Sequence, residues 1–151
     1  MNRFFGLFFF WAFGLGLSAQ TLEVCSSCEW TSITAAVKAA QDGDTVLIKK
    51  GIYRENEIEI RKSITMLGQN WPVIDGMGEN EILIVFADKV KLKGLQLQNV
   101  GVSFMKDRAA IRLVQCRDVV VEGNKLHNTF FGIYLQKAAD CIIRNNEIIG
   151  E

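Results

Sequence analysis

Four cysteines, four methionines and one histidine are the residues of this chain suited to a soft metal ion. The sharpest pattern among them is Cys25-Ser-Ser-Cys28. Two thiolates with two residues between them can grip one ion, and sulfur ligands favour Cu(I) over hard cations. The same spacing also suits a disulfide in an oxidising compartment, and the sequence leaves both states open. No thioredoxin-like βαβ pattern surrounds the pair, so a dithiol oxidoreductase is the weaker reading. Met105, in the stretch Val100 to Asp107, offers a thioether beside Phe104. Long loops on a rigid scaffold often carry binding residues, although such a loop can equally pack on its own coil. Cys116 and Cys141 fall in columns of small or apolar residues, where a buried, unreactive thiol is expected. His127 falls in an outward column, where solvation is more common than ligation.

The composition narrows the functions further. The chain has 151 residues with 17 Lys+Arg against 17 Asp+Glu. A formal charge of zero excludes broad electrostatic capture of nucleic acid. A single histidine excludes His-rich metal cages, and 49% hydrophobic residues argue against disorder. A polysaccharide lyase or hydrolase would need clustered or paired carboxylates on one outer face. The outward column expected here, Leu83, Arg112 and Tyr134, contains no acid. Arg112 and Tyr134 on adjacent coils suit sugar contact better than catalysis.

The elements that must position these residues begin after an address segment. Met1-Asn2-Arg3 is followed by an almost wholly apolar run, Phe4 to Leu17, and then Ser18-Ala19-Gln20. This is the anatomy of a secretory signal peptide over residues 1–19. An uncleaved N-terminal anchor is the alternative, although the run is shorter than the roughly 20 residues needed to span a bilayer. Cleavage after Ala19 removes Arg3 and leaves 16 basic against 17 acidic residues. The mature protein is then expected outside the cytoplasm.

The remainder repeats itself. Three segments starting at Ile82, Ile111 and Ile133 align at offsets of about 29 and about 22 residues, the range of solenoid repeats. Apolar residues share columns: Ile82, Ile111 and Ile133; Ile84, Leu113 and Leu135; Val90, Val119 and Cys141; Leu92, Val121 and Ile143; Leu97, Leu126 and Ile148. Within each unit they alternate at period two, which is strand spacing. Gly94, Gly123 and Asn145 share a turn column, and Gly and Asn tolerate positive φ. Coiling the chain so that equivalent short strands stack in parallel buries every inward column. The expected fold is therefore all-β, a right-handed parallel β-helix over residues 44–151. A β-sandwich of hairpins is the rival, but it does not explain columnar Gly and Asn. Stacking would also make Lys93, Glu122 and Arg144 a ladder of alternating charge and let Asn124 and Asn146 share amide hydrogen bonds. Residues 20–43 should supply a cap, with Thr31 or Ser32 starting a helix to about Gln41 and Ile33, Val37 and Ala40 on its inner face. A coil ending at Glu151 without a cap would leave strand edges open, so further coils are expected beyond it.

The run Ser32 to Tyr53, together with Pro72-Val-Ile-Asp-Gly76, resembles the opening of pectin-lyase-like right-handed β-helix proteins. Gly94-Leu-Gln-Leu, Glu122-Gly-Asn-Lys-Leu, Gly132-Ile-Tyr-Leu and Arg144-Asn-Asn-Glu-Ile-Ile-Gly150 are similar to the NosD branch of that group. The resemblance implies a periplasmic accessory role without catalytic residues, in maturation of the copper–sulfur centre of nitrous oxide reductase. It further implies copper as Cu(I), an ABC transporter and a copper chaperone as partners, and Cys25, Cys28 and Met105 as candidate ligands. A carbohydrate-binding or polysaccharide-degrading β-helix is the alternative, since related repeats occur in such proteins.

Overall fold

Strands of three to six residues are too short to bury an apolar face by pairing with their sequence neighbours. Each pairs instead with its equivalent one coil away, which brings like residues onto like. The computed structural model describes residues 18–150 and forms a parallel β-solenoid of about six turns with one short helix. The first turn holds β1 (Thr21–Val24) and α1 (Ile33–Ala39). The second holds β2 (Thr45–Ile48), β3 (Ile52–Arg54) and β4 (Ile58–Ile60). The third holds β5 (Thr65–Gly68), β6 (Val73–Asp75) and β7 (Leu83–Val85). The fourth holds β8 (Lys91–Lys93), β9 (Gln96–Gln98) and β10 (Ala109–Val114). The fifth holds β11 (Val120–Glu122), β12 (Lys125–Thr129) and β13 (Phe131–Gln136). The sixth holds β14 (Ile142–Arg144) and β15 (Glu147–Gly150). The expected signal peptide falls almost wholly outside the described residues.

Three parallel sheets result: β1-β2-β5-β8-β11-β14, β3-β6-β9-β12-β15 and β4-β7-β10-β13. One inward file runs Leu22, Val46, Met66, Leu92, Val121, Ile143. A second runs Tyr53, Ile74, Leu97, Leu126, Ile148. Every member up to the fifth turn is buried, whereas Ile143 and Ile148 in the sixth are exposed. The expected columns through Leu92 and Leu97 therefore hold.

The column through Ile82 needs correction. Ile111 pairs with Ile133 as expected, but its partner in the preceding coil is Leu83, and Arg112 pairs with Ile84. The cause is one extra residue at the next corner. Nine residues separate Ile111 from Val120 and Ile133 from Ile142, but only eight separate Leu83 from Lys91. The longer coils take up the difference with Gln115 and Lys137 at positive φ, a local bulge that preserves the files on either side. The true outward column of this sheet is Glu59, Ile84, Arg112, Tyr134. It has an acid at its head, and Leu83 points inward.

At the corner between the first two sheets Gly94, Gly123 and Asn145 stack with φ of 68, 62 and 55°. The next residues, Asn124 and Asn146, turn inward. Asn124 is only 1% exposed, and its side chain replaces the ladder bonds that the corner interrupts. Its Oδ1 accepts from Leu95 N at 3.1 Å, and its Nδ2 donates to Leu92 O at 2.9 Å and Asn146 Oδ1 at 3.1 Å. Asn146 Nδ2 repeats the pattern on Val121 O. Just outside, Glu122 lies 2.9 Å from Lys93 Nζ and 2.7 Å from Arg144 Nε, the expected charge ladder.

The helix covers the first coil with Ile33, Ala36 and Val37, and Ala40 beyond its end is also buried. It stops at Ala39, slightly short of the expected Gln41. Seven residues are too few for a helix to persist alone, and side chains of the second coil hold both ends. Ser32 is the N-cap, and the Glu55 carboxylate accepts from Ile33 N at 2.8 Å, Thr34 N at 2.9 Å and Thr34 Oγ1 at 2.6 Å. Lys62 Nζ donates to Lys38 O and Ala40 O at the other end. Anion at the N-terminus and cation at the C-terminus both complement the helix dipole.

Asn124→Ala strips a buried N–H and a buried C=O of their partners, and is expected to destabilise the protein by about 2–4 kcal/mol. Urea unfolding should show a lower midpoint with an unchanged slope.

Candidate functional site

Strand β1 ends at Val24, and the chain then makes a tight excursion before returning at Trp30, which bridges Val24. Cys25 N donates to Trp30 O at 3.0 Å and Cys28 N to Cys25 O at 3.3 Å. This turn sets the two cysteine Cα atoms 5.0 Å apart, and their sulfurs are joined as a disulfide. The loop borders an open cavity of about 630 Å³ at the capped end of the solenoid, with Glu23, Glu29, Asp42, Asp44 and Lys49 around it. Both cysteine residues are half-buried. In the disulfide state neither sulfur is the thiolate that a metal ion requires.

Asp44 fixes one wall of this cavity. Its carboxylate accepts from Gln20 N at 2.8 Å and Gln41 N at 2.7 Å, joining the segment before β1 to the end of α1. These two backbone donors, Gln20 first, hold its pKa below the ordinary carboxylate range against the opposing effect of burial.

The remaining candidates are dispersed. Met105 is 95% exposed and borders a different cavity, of about 390 Å³, with Glu57, Glu81, Asp107, Arg108 and Arg112. The structure does not bring it to the cysteine pair. Cys116 is fully buried; burial, with smaller contributions from Cys141 and Asp88, raises its thiol pKa. That is the environment of an inert structural cysteine, as its column implied. Cys141, expected to be buried, is only half-buried in the sixth turn; it packs against the edge of the core with its thiol directed to Ala139 O. His127 is outward, as expected, with Nε2 2.5 Å from Glu147 Oε1. Among the described residues no group of three His, Cys, Asp or Glu side chains is placed to hold a metal ion. Cys25 and Cys28, once reduced, could offer two sulfur donors to a soft ion.

Arg112 is engaged by a residue that the sequence reading missed. Its Nη1 donates to Glu81 Oε1 at 3.1 Å and its Nη2 to Gln136 Oε1 at 2.6 Å, while the guanidinium lies 5.6 Å from the Tyr134 ring centroid. Glu59 is bound by Arg61 at 2.9 Å. Glu59 and Glu81, in and beside the outward column of this sheet, are thus each paired with an arginine. No sequence signal marked Glu81, which lies in the corner before β7.

Stacked parallel coils, columnar corners and a capping helix define a repeat protein of the parallel β-helix class. A family model described as NosD, periplasmic copper-binding protein, matches residues 37–151. The chain belongs to the NosD family, and its expected kinship is thereby shown. Searches of the curated proteins and of the solved structures returned no match.

Because the folded pKa of Asp44 is depressed, its contribution to stability is full above the unfolded carboxylate value near about 4. That contribution is lost as pH falls through the folded pKa. Unfolding free energies measured by urea titration should fall below about pH 4, and Asp44→Asn should flatten that acid limb.

Proposed function

We propose that this chain is a periplasmic accessory protein in maturation of the copper site of nitrous oxide reductase. It is exported by a leader cleaved after Ala19, and it works with an ABC transporter and a copper chaperone. Copper is its cargo, taken as Cu(I) by Cys25 and Cys28. The observation that carries this reading is the family match over residues 37–151, with a half-buried cysteine pair in the first turn, ahead of the matched residues. An accessory role is supported by the family description, which is of a copper-binding protein.

Loading the pair requires reduction first. A dithiol reductant gives two electrons and two protons to the disulfide, leaving two thiols and an oxidised reductant. Cu(I) then displaces both thiol protons and binds between the sulfurs. The Cys25-to-Cys28 turn needs no rearrangement to keep the sulfurs together, because the bonds Cys25 N–Trp30 O and Cys28 N–Cys25 O lie in the backbone.

Anaerobic competition against a chromogenic Cu(I) chelator tests the proposal. The reduced protein should withdraw a single Cu(I) from the chelator, while the oxidised protein and Cys25→Ser/Cys28→Ser should withdraw none. Failure of the reduced protein to compete, or undiminished binding by the double variant, would overturn the assignment of these ligands.

A further inference from the structure

Phe104 and Met105 are apolar side chains held out in solvent, and the copper reading gives them no task. The corner between β9 and β10 that carries them is enlarged. Eleven residues separate Gln98 from Ala109, whereas four separate their partners His127 and Phe131 in the next coil. The extra length forms a projection at which Phe104 is fully exposed, Met105 is 95% exposed, and Val102 is exposed too.

Bonds within the projection fix its shape. A side chain at Gly101 would meet Glu79 O, and Gly101 N donates to Asn80 O at 3.1 Å, so the base of the loop is packed on the preceding coil. Arg108 Nη1 reaches across the loop to Val102 O at 3.3 Å. At the tip the Ser103 hydroxyl accepts from Met105 N at 3.2 Å and from Lys106 N at 3.1 Å. Phe131 N of the next coil donates to Arg108 O at 3.3 Å, and Phe130 and Phe131, also exposed, pack edge to face beside the root of the loop. Lys106 and Arg108 flank Asp107, so the tip is cationic on balance. Glu57 and Glu81 line the cavity that residues 105–108 border, and Arg112 holds Glu81.

We infer that this loop docks the protein on an anionic lipid surface, with Phe104 and Met105 entering the interface and Lys106 and Arg108 meeting phosphate groups of the lipid heads. Three features favour a bilayer over a fitted groove in another protein. A bilayer accepts apolar side chains of any shape, and here a rigid ring stands beside a flexible thioether. It offers no partner to an unbonded amide, and Ser103 already satisfies the amides of Met105 and Lys106. It is also at hand, because the family is described as periplasmic and that compartment is bounded by membranes. Two apolar side chains backed by two cations give reversible attachment, not permanent anchoring. The inference is independent of the cysteine pair and of copper.

Flotation with vesicles of phosphatidylethanolamine and phosphatidylglycerol tests it. The chain from Gln20 is used, since it lacks the apolar run Phe4 to Leu17 and keeps every described strand and α1. The protein should float with the vesicles. Phe104→Ala/Met105→Ala should lower its partition coefficient about thirtyfold or more, with the urea midpoint unchanged because neither side chain is buried. Phe104→Leu, which stays apolar, should retain most of the binding, and Lys106→Ser should cost about fivefold. Absence of flotation overturns the inference and leaves the loop to a grooved protein partner. Undiminished flotation of the double variant overturns it equally, and assigns the lipid contact to the exposed isoleucines of β14 and β15.

Discussion

Everything in this molecule depends on keeping one coil in register with the next. Parallel strands of three residues supply few hydrogen bonds of their own, so the register is set at the corners, where the backbone must reverse its course. Positive φ at stacked positions turns the chain the same way in each coil, and the amides of Asn124 and Asn146 restore the bonds that the turn interrupts. The apolar files follow from that alignment. Because burying them is the dominant favourable term, a corner that holds register contributes far beyond its own few bonds.

The first turn of the solenoid is held by side chains of the second. At the start, a helix too short for independent stability is held by Glu55 at one terminus and Lys62 at the other, while Asp44 ties in the segment before β1. Cys25 and Cys28 sit on the rim of this cap. They lie beside rigid strands but on an excursion that those strands do not constrain internally. The pair thus stands apart from the core files.

The parallel β-helix was legible because Leu92, Val121 and Ile143, or Leu97, Leu126 and Ile148, alternate with polar neighbours. Alternation states which side of a strand faces inward. The Ile82 column failed for the same reason in reverse. Ile82-Leu-Ile-Val85 is apolar throughout, and all three residues of β7 are buried, so nothing in that run distinguishes inside from outside. Gly94, Gly123 and Asn145 announced their corner because few residue types accept its backbone. Trp71, with φ of 56°, gave no such notice, since its type argues against the conformation it adopts. Glu55, Glu81 and Asp44 were equally silent. Partners 21 to 31 residues away leave no local pattern, and Asp44's nearer bond to Gln41 N was not marked by residue type. The cysteine spacing was conspicuous, but a sequence does not encode whether two sulfurs are bonded.

The Lys93–Glu122–Arg144 ladder has a bearing on how such a chain can lengthen or shorten. Its sign reverses over three successive coils, after Leu47 and Leu67 in the same column of the two coils before. Excising the single coil that carries Glu122 would seat Lys93 directly beside Arg144, cation upon cation. Growth or loss by pairs of coils preserves the alternation. Over these three coils, removing or repeating one coil sets like charges together, whereas a pair of coils does not.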